Sequence, residues 1–294
     1  MAEKNPFPGE NNTGHVWDGN LRELKNPPPT WWTIAFWASV IWWVAYGILY
    51  PMWPVGQQAT KGIMGVINDD YKGGWSQIKE YKQGLAEVEE LRAKYEAQIH
   101  DKSAKEILQD EGLSSYAVAS AKVLFGDNCA GCHGTGGQGG PGFPVLADDD
   151  WLYGGTIEAI EQTITNGRQG VMPGHAATLG AEKVDRLAEY VVNLSEGKDD
   201  PEGKELFTTS GCIACHGPDG KGIQAMGSAN LTDKIWRFKE DDLLASARRT
   251  IAHGVNNPSD PEAREAQMPA FGQRLSKDDI KKLAVYVYKL GGGQ

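Results

Sequence analysis

The chain has 294 residues, 40% of them hydrophobic and 23% charged, and a net charge of −10. That length predicts two compact domains plus further segments, and the composition excludes a disordered or collagen-like chain. The acidic balance excludes a nucleic-acid binder, which needs a basic surface to neutralise phosphates, and 4 cysteines are too few for a disulfide scaffold of this size.

Residues 1–30 carry 3 Lys/Arg against 4 Asp/Glu, and residues 31–50 carry none of either. The uncharged stretch, Trp31 to Tyr50, reads WWTIAFWASVIWWVAYGILY. A helix of that length rises about 30 Å, the thickness of a bilayer's hydrocarbon core. Pro27, Pro28 and Pro29 precede it and Pro51 and Pro54 follow it, marking its ends. Trp31, Trp32, Tyr50 and Trp53 fall where interfacial aromatics belong. The stretch starts late, is long, and lacks a clear small-residue cleavage site, so it reads as an uncleaved signal anchor. Arg22 and Lys25 upstream against Lys61 downstream lean towards an inside N-terminus.

Residues 51–111 read as a linker. Within it, residues 78–100 are rich in Glu, Lys, Ala and Leu and predict a helix, with Glu90–Lys94 and Glu89–Arg92 at helical spacing. A solvated spacer and a helix docked on a partner subunit both fit, and His100 reads as a surface residue.

A duplicated unit follows. Cys129-Ala-Gly-Cys132-His133 recurs as Cys212-Ile-Ala-Cys215-His216. Leu146 and Trp151 match Leu231 and Trp236, and Asn166-Gly167 matches His253-Gly254. Met172-Pro173 stands as far before Tyr190 as Met268-Pro269 stands before Tyr286. Landmarks in the same order mark a true repeat, with boundaries at 112–198 and 199–294. The second copy carries a polar, turn-forming insertion between Gly254 and Met268. Each copy predicts a helix leading into the Cys motif (114–127 and 201–208) and a closing helix (182–194 and 277–290). Asp200 and Ser276 stand at N-cap positions, and Gly197 and Gly291 at C-terminal ones. Phe125 with Tyr190, and Phe207 with Tyr286, are the expected packing pairs between first and last helices.

C-x-x-C-H is the attachment signature of c-type haem. The thiols of Cys129 and Cys132, and of Cys212 and Cys215, are placed to add to porphyrin vinyl groups, and His133 and His216 to ligate iron. A redox dithiol needs neither the His nor a downstream Met, and zinc needs four converging ligands. Met172 and Met268, each in a Met-Pro step between its histidine and its closing helix, are the expected second axial ligands, thioethers that raise the potential. Met226, His175 and His253 are rivals, and spacing does not say whether each Met serves its own repeat. Trp151 and Trp236 suit propionate hydrogen bonding or packing. Arg168, Arg248 and Arg249 suit propionate neutralisation or plain surface charge. Residues 112–198 hold 5 Lys/Arg against 10 Asp/Glu, an acidic excess that suits either steering of a basic partner or ordinary solubility.

Each repeat resembles a class I cytochrome c domain, so the expected fold is mainly α: one transmembrane helix followed by two tandem class I cytochrome c domains. The anchor, the two domains and the lead-in His15-Val16-Trp17-Asp18-Gly19, Leu24, Asn26-Pro27 and Trp31-Trp32 resemble the dihaem subunit, subunit III, of cbb3-type cytochrome c oxidase. The second repeat departs from the first at Ala229, which stands where Pro144 stands. The resemblance implies two covalently bound haem c groups and an electron-transfer subunit with no oxygen-reducing site of its own. It implies a single-pass protein of the bacterial inner membrane, with residues 1–30 cytoplasmic and the haem domains periplasmic. Its expected partners are the haem–copper catalytic subunit, a monohaem cytochrome c subunit, and a soluble or membrane-anchored cytochrome c donor. A membrane-bound dihaem carrier serving another respiratory enzyme is the alternative.

Overall fold

The computed structural model describes residues 7–72 and 74–293, which divide into one unit ending at Leu91 and a second from Arg92 onward. In the first unit, β1 (Asn12–Trp17) and β2 (Leu21–Leu24) form an antiparallel hairpin, with Val16 opposite Arg22 and Trp17 opposite Leu21. Asp18 and Gly19, both at positive φ, supply its turn. The lead-in is thus an ordered hairpin, steadied by an Arg22–Glu10 ion pair.

The 20-residue helix α1 (Thr30–Leu49) follows, starting directly after Pro29. Its mean hydropathy is 1.5, and among the described residues it is the one helix long and apolar enough to cross a membrane. It is apolar on all faces: Trp31, Ile34, Trp37, Ile41 and Trp42 are exposed, and only Gly47 is buried. A helix without a polar side is suited to lipid rather than water. After it come the small pair β3 (Pro54–Val55) and β4 (Gln58–Ala59), the single turn α2 (Met64–Ile67), and the long helix α3 (Gln77–Asp101).

The second unit contains α4 (Ala104–Gln109), α5 (Glu111–Asn128), α6 (Ala130–His133), α7 (Ile157–Asn166), α8 (Ala176–Ser195), α9 (Pro201–Thr209), α10 (Ile213–His216), α11 (Leu243–His253) and α12 (Lys277–Tyr288). The expected caps form. Asp200 accepts from the Gly203 N–H and Ser276 from the Asp279 N–H, both at 3.0 Å. Gly180, at φ 76°, breaks α8. The helix proper therefore starts beside the predicted position 182.

The helices assemble into two lobes, and the repeats do not map onto them one to one. The first core joins Leu113, Ala117, Ala121 and Phe125 of α5 and Ile157, Ile160 and Ile164 of α7 to Ile280, Leu283, Ala284 and Val287 of α12. The second joins Val184, Leu187, Ala188 and Tyr190 of α8 to Phe207 of α9 and to Ala247 and Ile251 of α11. Each closing helix thus packs on the leading helix of the other repeat. The expected Phe125–Tyr190 and Phe207–Tyr286 pairs do not form. Phe125 lies 5.0 Å from Tyr286, and Tyr190 lies 5.4 Å from Phe207, centroid to centroid. The reason is connectivity: the link 196–200 between α8 and α9 is short enough to keep them neighbours. The closing segments LAEY and LAVY present similar faces, so either fits either socket.

The end of the expected spacer is also core. Ile99, Ala104 and Ile107 are fully buried in the first lobe. Buried Lys282 of α12 donates to Glu96 at 3.1 and 3.2 Å and lies 2.9 Å from Asp279, while the Tyr116 hydroxyl donates to Glu96 at 2.6 Å. His100 is exposed, as expected of a surface residue, and sits 2.9 Å from Asp278. Lys281 donates to the Ile99 and His100 carbonyls at 2.9 and 3.0 Å. These contacts pin the last turns of α3 to α12.

Candidate functional site

The two Cys motifs are built alike. Cys129 and Cys212 stand at the head of the four-residue helices α6 and α10, and His133 and His216 close them. Cys129 and Cys212 are half-buried, Cys132 and Cys215 exposed, and all four are free thiols. Burial pushes the Cys129 thiol up to about 11 and raises Cys212 as well, so both are neutral thiols at physiological pH.

The His133 Nδ1 is 3.0 Å from the Pro144 carbonyl oxygen, and the His216 Nδ1 is 3.0 Å from that of Ala229. A carbonyl only accepts, so Nδ1 carries the proton and the Nε2 lone pair is free for a metal. Burial disfavours the charged form of both rings, keeping them neutral. The Pro144/Ala229 difference leaves this bond unchanged, because the backbone oxygen makes it. Ala229 is held in another way: the Ser228 hydroxyl donates to the Cys215 carbonyl at 2.5 Å.

The exchange of closing helices also exchanges the methionines. Half-buried Met268 packs on the first core, as do Cys129, Ala130, Leu146 and Trp151. Met172 packs on the second, as do Cys212, Ile213, Leu231 and Trp236. A reciprocal pair of backbone bonds fixes each one. The Arg168 N–H donates to the Met268 oxygen at 2.9 Å, and the Met268 N–H to the Arg168 oxygen at 2.8 Å. Met172 and Val255 repeat the pattern at 3.0 and 2.9 Å. Gly167 and Gly254, at φ 69° and 82°, pass so close that a Cβ on either would overlap the carbonyl oxygen of Met268 or Met172, respectively.

The rival ligands separate. Met226 is 52% exposed and belongs to neither core. His253 is held by Asp260 at 2.9 Å and Glu262 at 3.3 Å. His175, at the head of α8, is close enough to His216 to oppose its protonation. Trp151 donates its indole N–H to the Gly292 carbonyl, which favours the packing role. Arg168 lies over the Tyr153 ring at 4.4 Å, Arg248 pairs with Asp185 at 2.6 Å, and Arg249 lies 3.6 Å from Glu240.

Two features escaped the sequence reading. Asp150 is pushed up to about 6 by burial and by Asp233, Asp148 and Asp149, a carboxylate cluster spanning both lobes. Arg237 reaches from the second lobe to the loop after His133, donating from Nε to the Gly142 carbonyl at 3.2 Å. Aligning Trp151-Leu152-Tyr153 with Trp236-Arg237-Phe238 marks Arg237 as unmatched, a signal available in the repeat itself.

The donor set fits a haem iron in each lobe: two thiols one helical turn apart, an imidazole with its Nε2 free, and a thioether in the same apolar core. Residues 9–57 match a family model described as the N-terminal domain of cytochrome oxidase-cbb3, FixP. Residues 117–191 match cytochrome C oxidase, cbb3-type, subunit III, and residues 201–291 match cytochrome c. The chain is 40% identical over 299 residues to the cbb3-type cytochrome c oxidase subunit FixP of Azorhizobium caulinodans, covering 97% of this chain and 94% of the relative. It is 39% identical to the FixP subunit of Bradyrhizobium diazoefficiens, covering 100% and 99%. It is also 39% identical to the FixP subunit of Rhizobium meliloti, covering 97% and 96%.

Proposed function

The chain belongs to the FixP family of cbb3-type cytochrome c oxidase subunits, and from that premise we propose how it carries electrons within the oxidase. Covalently bound haem c supplies a one-electron iron couple in each lobe. Cys129 and Cys132 would hold one group, with His133 and Met268 placed to ligate its iron. Cys212 and Cys215 would hold the other, with His216 and Met172. Ligation is crossed, so each site takes its thiols and histidine from one repeat and its methionine from the other. The observation that carries this reading is that Met268 packs on the same core as Cys129, and Met172 on the same core as Cys212.

The residues divide the work. Pro144 and Ala229 orient the imidazoles through Nδ1. The Arg168 and Val255 backbones hold the methionines. Leu146, Trp151, Leu231 and Trp236 give each site an apolar wall that excludes water. The domain limits remain 112–198 and 199–294 in sequence, although each lobe draws on both.

Helix α1 crosses the bacterial inner membrane, with residues 1–30 in the cytoplasm and residues 51–294 in the periplasm, where haem is attached to c-type cytochromes. A soluble or anchored cytochrome c donates electrons, which pass on to a monohaem subunit and the haem–copper subunit where oxygen is reduced. Purification in mild detergent through a tag on this chain tests the reading. Haem b, copper and oxygen consumption with reduced cytochrome c are expected in the product. Haem c alone, without oxygen consumption, is the result against it. Cleavage of the haem domains by protease added to spheroplasts, with the N-terminus protected, is the expected topology.

A further inference from the structure

The second repeat contributes a cation to the loop that follows His133. Trp236 packs on the second core, as do Cys212 and Met172. The next residue, Arg237, turns to the other lobe. Its carbonyl accepts from the Gly142 N–H at 3.0 Å, and its Nε donates back to the Gly142 carbonyl at 3.2 Å. Gly142 lies just before Pro144, whose carbonyl orients His133. The guanidinium is half-buried and 5.7 Å from the Phe238 ring centroid. Among the described residues no carboxylate pairs with it, whereas nearby Arg264 is paired with Glu240 at 2.5 Å.

A half-buried charge held by one neutral carbonyl is costly and is ordinarily offset by an anion or put to use. Burial weakens its hold on its proton, though an arginine stays charged at any physiological pH. Its effect on iron follows from Coulomb's law: the oxidised ion carries one more positive charge than the reduced ion, so a fixed cation beside the ligand loop favours reduction. The first repeat has Leu152 at the matching position, so the second site receives no such charge from its counterpart.

We propose that Arg237 is a positioning residue that raises the potential of the haem held by Cys129, Cys132 and His133, making the two centres inequivalent from across the lobe boundary. This rests on haem attachment at that motif. The test is a redox titration of the purified full-length subunit, after haem content is measured, for wild type, Arg237→Leu, Arg237→Gln and Arg237→Lys. Arg237→Leu is expected to lower one midpoint by an amount equal to a several-fold change in the reduced-to-oxidised ratio, where about 59 mV is tenfold for one electron. Arg237→Gln keeps a donor for Gly142 and is expected to lower it likewise, and it supplies the reading where the leucine variant loads haem poorly. Arg237→Lys is expected to retain most of the wild-type value. Unchanged midpoints in Arg237→Leu and Arg237→Gln, or an equal drop in Arg237→Lys, overturn the proposal. Met268→Leu, Met172→Leu and a Cys129→Ser/Cys132→Ser variant are titrated beside them. A shift of the wave that is missing from Cys129→Ser/Cys132→Ser, which lacks the first haem, supports the assignment, and a shift of the wave that this variant retains overturns it. If neither methionine variant moves a wave while Arg237→Leu does, crossed ligation fails and the charge effect stands.

Discussion

Phe125, in the helix that leads into the first Cys motif, packs its ring 5.0 Å from that of Tyr286, in the helix that ends the second repeat. Their planes are tilted by 42°, and Phe125 is fully enclosed. The pair joins opposite repeats, and Tyr190 and Phe207 do the same in the other lobe. Two redox domains that read as separate beads are thus one interlocked body.

A double-mutant cycle reads this directly. Phe125→Leu and Tyr286→Leu are expected to couple by about 0.5–1.5 kcal/mol in chemical denaturation, the range for an aromatic pair. Phe125→Leu and Tyr190→Leu are expected to be additive. The reverse pattern requires each repeat to close on itself.

Crossed ligation predicts which centre each methionine serves. Met268→Leu is expected to leave haem attached at both motifs but abolish the iron–thioether charge-transfer band of the centre at Cys129–Cys132 and lower its potential. Met172→Leu is expected to do the same at Cys212–Cys215. Redox titration with magnetic circular dichroism checks the assignment, and loss of both bands in a single variant contradicts it.

Gly167→Ala tests how the methionine loop is held. Gly167 has φ 69° and ψ −178°, a region that is essentially glycine-only and costs roughly 1–3 kcal/mol for another residue. Because the added Cβ would overlap the Met268 oxygen, the variant is expected to weaken the thioether bond of the first centre and leave the second unchanged. Gly254→Ala is expected to act on the second centre through Met172.

Asp200 joins α8 to α9. It caps α9 at Gly203 and accepts from Arg186 at 2.8 Å and Asn193 at 3.2 Å. The hydrogen bond from Arg186, more than any other contact, holds its carboxyl well below the usual carboxylate range. A lowered value means that this stabilisation is complete above the unfolded carboxylate pKa of about 4 and is lost as pH falls towards the folded value. Asp200→Ala is expected to cost about 1–2 kcal/mol at pH 7. In thermal melts, the gap from wild type is expected to narrow below pH 4.

Asp150 has the opposite sign. Its carboxyl, raised to about 6 by burial and then by Asp233, Asp148 and Asp149, favours the protonated form in the folded chain. Its contribution is complete below the unfolded value of about 4 and is lost as pH rises through about 6. Asp150→Asn is expected to stabilise the chain at pH 7.5 by about 1 kcal/mol, after allowance for partial exposure, and to make no difference at pH 4. An equal gain at both pH values would mean that charge is not the cause.

Elements and donors were legible along the chain. The apolar run, the bracketing prolines, the Asp200 and Ser276 caps and the C-x-x-C-H motifs are local features, and local features set helices, their ends and the residues that carry chemistry. The duplication also pointed to two sites built on one pattern. Which helix covers which site is a matter of tertiary packing. The closing helices are alike because the repeats are alike, so hydrophobic pattern alone cannot say which one covers Phe125. The short α8–α9 link and the Met268–Arg168 and Met172–Val255 bonds decide it. Arg237 and the Asp150 cluster stayed hidden for the same reason: their roles come from charges brought together across the lobe boundary, and spacing along a chain does not report such proximity.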